Sequence, residues 1–204
     1  MVAIIDYDAG NIKSVEKAVQ HLGQEAVVTR DAKLLCKADH IILPGVGAFG
    51  DAMEKLKKYE LIPVIREVID RGTPFLAVCL GLQLLFEESE ESPGIPGLGI
   101  FKGSIRRIPD MEGLKIPQIG WNSLHFPRES RLFQGCKEES YVYFVHSYYL
   151  KAAEESIVSA ETEYGVLIHA AVERDNVFAC QFHPEKSSAV GLHMLKNFLD
   201  VRSA

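Results

Sequence analysis

Long hydrophobic runs are missing from this 204-residue sequence, and its N-terminus, MVAIIDYDAG, has neither a basic region nor a cleavage site. A membrane span needs ~20 mostly apolar residues, and a secretory signal needs the two missing features. We therefore expect a cytoplasmic protein that does not cross a membrane.

Paired cysteines are missing as well, because the four cysteines have no CxxC or similar spacing. They are Cys36, Cys79, Cys136 and Cys180. Zinc sites and disulfide frameworks depend on such spacings, so we expect neither of them, and we expect no cofactor. Basic clusters are also absent and the net charge at pH 7 is −6, so the chain lacks the positive face with which proteins bind nucleic acid.

What the sequence does contain is an alternation of short apolar runs with amphipathic helical patterns. In the first 78 residues, these patterns predict strands at 1–6, 25–29, 40–43 and 75–78, and helices at 11–22, around Met53 and Leu56, and at 61–71. Such an alternation is typical of a mostly parallel, open sheet with helices on both faces.

Beyond Ser92 the pattern changes to strands without long helices between them. These strands are predicted at 99–108, 117–126, 141–150, 166–174 and 176–182. A last helix is predicted to be capped by Ser188 or its neighbour. The sequence therefore predicts a single α/β domain over residues 1–204, with antiparallel strands added to the parallel sheet.

Cys79 lies where the predicted strand 75–78 gives way to a helical pattern that begins at Leu80. Gly81 leaves room for a tight turn, as in the elbow that lifts a hydrolase nucleophile above its sheet. At a helix N-terminus, the free N–H groups and the helix dipole favour a thiolate. The alternative is a buried, unreactive cysteine, which is a common role of this residue type.

The loop 44–50, PGVGAFG, follows a predicted strand and matches G-x-G-x-x-G at Gly45, Gly47 and Gly50. A dinucleotide site would also need an acidic residue about 20 positions further on, at the end of a strand. Asp70 has that spacing but falls inside a predicted helix. We therefore expect this loop to offer backbone N–H groups at the carboxyl edge of the sheet, not to bind a dinucleotide.

His183 directly follows the last predicted strand, at the same sheet edge as Cys79, and Glu185 lies two residues further on. A cysteine nucleophile needs a base, and the base needs a group that orients it. The alternative for this HPE segment is an ordinary surface turn before a helix. His146, in FVHSYY, is the competing base, although it has no carboxylate within two residues.

Three segments, AVCLGLQLLF, PGVGAFG and FACQFHPEKSS, together resemble the class I, triad-type glutamine amidotransferases. A closer similarity, to the glutaminase subunits of imidazole glycerol phosphate synthases, rests on DYDAGNIKSV, LPGVGAFGDAM, PQIGWN, YFVHSYY and HPEKSS. One departure is Ala77, because such families usually have glycine two residues before the nucleophile. Because alanine is small, this exchange affects how tightly the chain can turn at the elbow and not the family resemblance.

The resemblance implies a glutaminase that releases ammonia for a partner enzyme. Cys79 would attack glutamine, His183 would move the proton, and Glu185 would hold His183. The oxyanion donors would be the backbone N–H of Leu80 and that of Val46 or Gly47. The residues expected to bind glutamine are Gln83, Glu91, His146, Ser147 and Tyr148. Glu91 ends an acidic run, 87–91, for which a solvated helix end is the alternative.

By resemblance, the ammonia is consumed by a separate (βα)₈ cyclase subunit in a heterodimer. That subunit makes imidazole glycerol phosphate and an aminoimidazole carboxamide ribotide in histidine biosynthesis. The positions that match its interface are Asn11, Trp121, Asn122 and Lys186. Three alternatives remain: a glutaminase subunit of another ammonia-transferring synthase, a stand-alone cysteine amidase or peptidase, and a catalytically silent nucleotide-binding or scaffold subunit.

The glycine loop 44–50 is also the segment best able to move. We expect one of its carbonyl groups to point toward the reaction intermediate at rest. An N–H would turn inward only when the partner and its nucleotide are bound, which would keep the lone subunit almost inactive.

Overall fold

The computed structural model describes residues 1–202 of the chain. In chain order, the strands are β1 (Val2–Ile5), β2 (Ala26–Thr29), β3 (His40–Leu43), β4 (Phe75–Val78), β5 (Glu88–Ser89), β6 (Gly103–Arg107), β7 (Gln118–Ser123), β8 (Tyr141–His146), β9 (Tyr148–Ala152), β10 (Val158–Glu163), β11 (Leu167–Arg174) and β12 (Val177–Cys180). The helices are α1 (Ile12–His21), α2 (Ala32–Leu35), α3 (Phe49–Lys58), α4 (Leu61–Asp70), α5 (Leu80–Leu84) and α6 (Ser188–Asp200). Within these described residues, no helix has the length and apolar character needed to cross a membrane.

The largest sheet among the described residues has seven strands in the order β10-β11-β12-β4-β3-β1-β2. The strands from β12 to β2 run parallel, whereas β11 is antiparallel to β12, and β10 is antiparallel to β11. Two smaller sheets pair β5-β6-β9 and β7-β8. This topology confirms the predicted fold class of a mostly parallel sheet with added antiparallel strands.

Alternate side chains of the central strands enter two separate cores, one on each face of the sheet. Ile5 and Ile41 pack into the core that α3 and α4 cover. Ile4 and Ile42 pack into the core that α1 and α6 cover. Because successive side chains of a strand point to opposite faces, a strand covered on both faces is apolar throughout, which is why these strands were predictable.

The register of the parallel strands decides where the site lies. Ala77 in β4 is level with Leu43 at the end of β3 and with Ala179 near the end of β12. The loop after β3, Cys79 after β4 and the segment after β12 therefore leave the sheet at one edge. Carboxyl ends of parallel strands are where open α/β sheets bind ligands.

The strand predicted at 141–150 is two strands, β8 and β9, separated at Ser147. The two strands belong to different sheets, since β8 pairs with β7 and β9 pairs with β6. The buried side chains stay at even-numbered positions through both strands, including Phe144 and Leu150. The alternation of buried and exposed residues therefore continues through Ser147, where the strand that pairs with this segment changes. For that reason the sequence pattern could not reveal the break between β8 and β9.

The helix that begins at Leu80 ends at Leu84, so the alternative interpretation of the acidic run 87–91 as a solvated helix end is wrong. The carbonyl groups of Leu84 and Leu85 accept hydrogen bonds from the N–H groups of Leu98 and Ile100, not from a further helical turn. The acidic run therefore leaves the helix and forms β5, which pairs in parallel with β6. The same contacts explain why the strand predicted at 99–108 begins only at Gly103.

Two elements were missed by the sequence patterns. In β10, VSAETE, polar residues occupy an edge strand, so the sequence carries little apolar signal. The short helix α2 lies in a segment that was expected to be a connection. Its start is fixed by Asp31, whose carboxylate accepts hydrogen bonds from the N–H groups of Lys33 and Leu34.

Candidate active site

Cys79 occupies the sharp turn between β4 and α5. Its backbone has φ +55° and ψ −110°, a conformation that residues other than glycine rarely adopt. Gly81 permits this turn, because a Cβ there would lie 2.2 Å from the carbonyl oxygen of Leu43. Backbone strain of this kind is typical of the elbow that presents a nucleophile. The predicted elbow is therefore present, and Cys79 itself is only 6% exposed.

His183 and Glu185 form a buried pair next to Cys79. His183 Nδ1 lies 2.8 Å from Glu185 Oε1, and the two side chains are 2% and 1% exposed. Glu185 Oε1 also accepts a 2.8 Å hydrogen bond from Asn11 Nδ2. Among the described residues, the buried His183 Nε2 has no hydrogen-bond partner. Because the carboxylate engages Nδ1, Nε2 is the nitrogen left to exchange a proton with the cysteine.

The pKa of His183 is set by opposing effects. Burial alone lowers it, but the interactions with Cys79 and with Glu185 outweigh burial and raise the pKa to about 9. The imidazole is therefore protonated at pH 7. A protonated histidine next to the nucleophile is ready to act as an acid toward a leaving group.

The turn that carries His183 is fastened by Ser187. Ser187 Oγ donates a 2.6 Å hydrogen bond to the carbonyl oxygen of His183 and accepts a 2.9 Å hydrogen bond from the backbone N–H of Tyr143. Ser187, the neighbour of Ser188 at the predicted cap position, therefore does not cap the last helix, since its hydroxyl joins the turn that carries His183 to β8.

A cavity of about 260 Å³ opens at Cys79. It is lined by the other residues predicted for the oxyanion hole and for glutamine: Val46, Gly47, Leu80, Gln83, Glu91, His146, Ser147 and Tyr148. Sequence reasoning missed Pro117 and Val145 in its wall, and the carbonyl oxygen of Val145 lies 3.9 Å from Cys79 Sγ. A larger hollow of about 710 Å³ lies between Phe126 and Glu173, and no described cysteine or histidine lines it.

His146 is not placed to act as the base. Burial lowers its pKa to about 4, so the ring is neutral at pH 7. A neutral ring donates one hydrogen, and Nδ1 lies 2.8 Å from the carbonyl oxygen of Tyr148, which only accepts. Nε2 faces the side-chain amide of Gln118 at 2.9 Å. Both nitrogens are thus engaged away from Cys79, and the competing interpretation of His146 loses its support.

Two buried amides connect the cavity wall with Cys79. Gln83 Nε2 lies 3.1 Å from the carbonyl oxygen of Tyr148 and 3.0 Å from Gln181 Oε1. Gln181 Nε2 in turn lies 3.7 Å from Cys79 Sγ. Sequence reasoning missed Gln181, although the residue stands in the FACQFHPEKSS motif. Its only sequence signal is a polar residue between two buried apolar ones, Cys180 and Phe182.

The glycine loop approaches the nucleophile from β3. Tyr7 Oη donates a 2.8 Å hydrogen bond to the carbonyl oxygen of Pro44. Burial above all, and then the nearby Cys79, raises the pKa of Tyr7, so this hydroxyl stays protonated. The backbone N–H of Leu80, predicted as an oxyanion donor, donates to the carbonyl oxygen of Gly45 at 3.3 Å. One of the two predicted oxyanion donors is therefore already hydrogen-bonded to a carbonyl group of the loop.

The four residues predicted at a partner interface differ in how far they are exposed to solvent. Trp121 is 50% exposed and Lys186 is also exposed, with its Nζ 6.0 Å from the centre of the Tyr143 ring. Asn122 is half-buried and donates a 2.9 Å hydrogen bond to the carbonyl oxygen of Glu163. The side-chain amide of Asn11 points toward the pair of His183 and Glu185.

A family model described as glutamine amidotransferase class-I matches residues 3–201. The chain belongs to this family. Several relatives of this class-I glutamine amidotransferase carry the name of a synthase subunit. The chain is 51% identical over 196 residues to the imidazole glycerol phosphate synthase subunit HisH of Aquifex aeolicus, covering 96% of this chain and 94% of that protein. It is 48% identical over 201 residues to HisH of Methanocaldococcus jannaschii, covering 98% and 100%.

Solved structures share the fold of this class-I glutamine amidotransferase at low identity. One, described as a crystal structure of glutamine amidotransferase, has a TM-score of 0.75 and 22% identity and covers 97% of this chain and 99% of that chain. PurLQS from Thermotoga maritima has a TM-score of 0.74 and 19% identity, covering 98% and 97%. The family resemblance predicted from the motifs is therefore confirmed, as is the closer similarity to HisH subunits.

Proposed function

We propose that this chain hydrolyses glutamine to glutamate and ammonia, and that the ammonia passes to the cyclase subunit of an imidazole glycerol phosphate synthase in histidine biosynthesis. The proposal is carried by the buried pair of His183 and Glu185, 2.8 Å apart, next to the strained Cys79 at the wall of the cavity. The names of the HisH relatives support the choice of synthase. The glutaminase is a single domain over residues 1–204, of which 203 and 204 lie outside the described residues.

The chemistry begins when the Cys79 thiolate attacks the side-chain amide carbon of glutamine. The carbon–nitrogen bond breaks as His183 Nε2 gives its proton to the leaving nitrogen, so ammonia departs and a γ-glutamyl thioester remains. Neutral His183 then takes a proton from water, whose oxygen displaces the sulfur to give glutamate and regenerate the thiolate. Glu185 holds Nδ1 and stabilises the protonated ring.

Gln83 and Glu91 suit the α-ammonium group of glutamine. Both amide hydrogens of Gln83 are used, by the carbonyl oxygen of Tyr148 and by Gln181, so its Oε1 remains to accept from a cation. Glu91 Oε2 accepts a 2.8 Å hydrogen bond from the backbone N–H of Phe49, and its other oxygen is left for the same cation. These two acceptors share the cavity with the nucleophile.

The oxyanion of the tetrahedral intermediate is stabilised by the backbone N–H groups of Leu80 and of Val46 or Gly47. Removing one such donor typically raises the barrier by ~3–4 kcal/mol. Because Leu80 N–H donates to Gly45 here, the hole is incomplete in this conformation. A peptide of the loop therefore turns when the cyclase and its nucleotide bind, which couples glutamine hydrolysis to the presence of an acceptor.

The (βα)₈ cyclase docks on the outer face of β7 and β8 and forms a heterodimer with this chain. Three side chains on that face, Ile119, Trp121 and Tyr141, are 63%, 50% and 58% exposed, and large exposed apolar residues mark interaction surfaces. The face adjoins the nucleophile, because Val145 pairs with Ile119 and carries the carbonyl near Cys79 Sγ. Ammonia released at Cys79 thus has a short way to a partner on this face.

The experiment is a comparison of two nitrogen sources in the complex with the cyclase. In the Cys79→Ala variant, synthesis from glutamine should disappear while synthesis from free ammonia stays unchanged, because only the nucleophile is lost. Cys136→Ala, which removes a half-buried cysteine outside the cavity, is the matched control and should keep both activities. Glutaminase activity that persists in Cys79→Ala would refute the proposal.

A stand-alone cysteine amidase of the same fold is the second candidate, and the well-formed nucleophile and histidine pair within one chain favour it. It predicts equal glutamate release with and without the cyclase and no preference for glutamine over other amides. The coupled glutaminase predicts release that rises when the cyclase is added and rises again with its nucleotide ligand.

A further inference from the structure

Gln181 is a fully buried amide that the proposed mechanism does not use. It follows β12 and is fixed in the backbone by a 2.8 Å hydrogen bond from its N–H to the carbonyl oxygen of Ala170. Its side chain contacts two groups, Gln83 and Cys79 Sγ. Burying an amide costs free energy unless its hydrogen bonds are satisfied. The neighbouring groups therefore decide which atom of the Gln181 amide, the oxygen or the nitrogen, faces Cys79.

That orientation follows from the groups around it. The carbonyl oxygen of Tyr148 only accepts, and it lies 2.8 Å from His146 Nδ1 and 3.1 Å from the side-chain amide of Gln83. The Gln83 atom facing it must therefore be Nε2, the donor. The second hydrogen of the same nitrogen points to Gln181, so the Gln181 atom at 3.0 Å must be Oε1. Only the NH₂ of Gln181 is then left to face Cys79 Sγ.

We propose that Gln181 is a positioning residue for the nucleophile: its amide donates a hydrogen bond to Cys79 Sγ, and Gln83 and Tyr148 hold the amide in the donating orientation. The distance of 3.7 Å is in the range for a donor to sulfur. A donor favours the thiolate over the thiol, because hydrogen bonds to a charged acceptor are the stronger ones.

The contact of the sulfur with the backbone of Val145 acts in the opposite direction. The carbonyl oxygen of Val145, 3.9 Å from Cys79 Sγ, accepts the S–H of the thiol and cannot donate to a thiolate. Beside the protonated His183, Gln181 is thus a second side chain that favours the thiolate against this acceptor. Because the amide is buried, water cannot replace it when it is removed.

The test is the pH dependence of Cys79 alkylation by iodoacetamide in the full chain, followed by mass spectrometry of the Cys79 peptide. Gln181→Glu keeps the length of the side chain and the acceptor for Gln83, but it replaces the donor with a carboxylate. The midpoint of the alkylation profile should move to higher pH, and alkylation at pH 7 should slow about tenfold or more. Gln181→Met removes the donor without adding charge and should shift the profile in the same direction by less.

The matched control is Asn176→Asp, which exchanges an amide for a carboxylate at the opposite end of the sheet. Asn176 Nδ2 donates to the carbonyl oxygens of Ile69 and Thr73, so this variant loses stability without touching the site. It should unfold at a lower temperature and keep the wild-type alkylation profile. General loosening would speed alkylation, so the expected slowing at position 181 cannot come from lost stability.

The proposal has a kinetic readout that rests on the proposed glutaminase function. In the complex, Gln181→Glu should lower kcat for glutamine about tenfold and change KM little, because the amide contacts the nucleophile and not the cavity space. Alkylation needs no glutaminase activity, so failure of the proposed function leaves the first test intact. A wild-type alkylation profile in Gln181→Glu, or in Gln181→Met if the first variant does not fold, would overturn the proposal.

Discussion

Asn11 and Glu185, 174 positions apart in the sequence, are joined by a 2.8 Å hydrogen bond from Asn11 Nδ2 to Glu185 Oε1. The same oxygen lies 2.8 Å from His183 Nδ1, so one carboxylate oxygen accepts from two side chains. The other oxygen, Oε2, has no partner among the described residues. Asn11 therefore helps to fix the carboxylate that contacts His183 Nδ1.

The first prediction concerns this contact. Asn11→Gly should lower kcat for glutamine about tenfold, because a hydrogen bond to a buried carboxylate is lost. Glycine adopts the backbone of Asn11, with φ +67°, without strain. Steady-state glutamate release by the complex measures the effect. Glu139→Gly, at φ +61° on the surface, is the control, and an equal loss of kcat in both variants would contradict the assignment.

The second prediction concerns the strained elbow. Cys79→Gly should unfold at a temperature ~2–4 °C above Cys79→Ala, because glycine relieves about 1 kcal/mol of strain at φ +55° that alanine keeps. Thermal unfolding of the two variants gives the comparison. The opposite sign is expected for Ala77→Gly in β4, where an extended strand gains nothing from glycine and loses a buried methyl group. Equal stability of the two Cys79 variants would mean that the turn is unstrained.

The third prediction follows from the pKa of about 9 for His183. An unfolded histidine has a pKa of ~6.5, so the folded state binds this proton more tightly. The resulting stability is fully present below about pH 6.5 and is lost as pH rises through 9. The melting temperature should fall across this window in the wild type and fall less in His183→Gln. His21→Gln, which removes an exposed histidine, is the control and should fall as the wild type does.

The fourth prediction separates the two histidines of the cavity region. His183→Ala should stop formation of the thioester, whereas His146→Ala should mainly weaken glutamine binding, because neutral His146 only fastens the carbonyl of Tyr148. Rapid quenching after mixing with labelled glutamine measures the acylated fraction. If acylation is normal without His183, another group is the base.

The fifth prediction tests whether the loop is held in an inactive conformation. Tyr7→Phe removes the hydrogen bond to the carbonyl oxygen of Pro44, worth ~1 kcal/mol. The ratio of glutaminase activity between the cyclase complex with nucleotide and the lone chain should then shrink about fivefold, because the resting loop loses an anchor. Tyr59→Phe removes a hydroxyl that contacts Asp8 on the surface, and it should leave the ratio unchanged. An unchanged ratio in Tyr7→Phe would show that this anchor does not hold the loop.

Much of the fold could be predicted because the parallel strands are covered on both faces. The runs VAII, HIIL and FLAV read as strands for that reason, and Gly72 and Gly81 mark the turns around the last of them. The antiparallel part was predicted less well. Its strands change partners at Ser147 without a change in apolar alternation, and its edge strand β10 is polar.

The sequence by itself determined which chemistry is proposed: the motifs around Cys79, His183 and Glu185 predict a nucleophile, an acid–base group and its orienting carboxylate, at strand ends that meet at one edge of the sheet. Only the tertiary structure decided how these groups are held. Tyr7 reaches Pro44 across 37 positions, and Gln181 reaches Cys79 across 102. Such contacts produce no periodic pattern in the sequence. Each depends on a single polar side chain, whose position is set by the packing of strands that are distant along the chain.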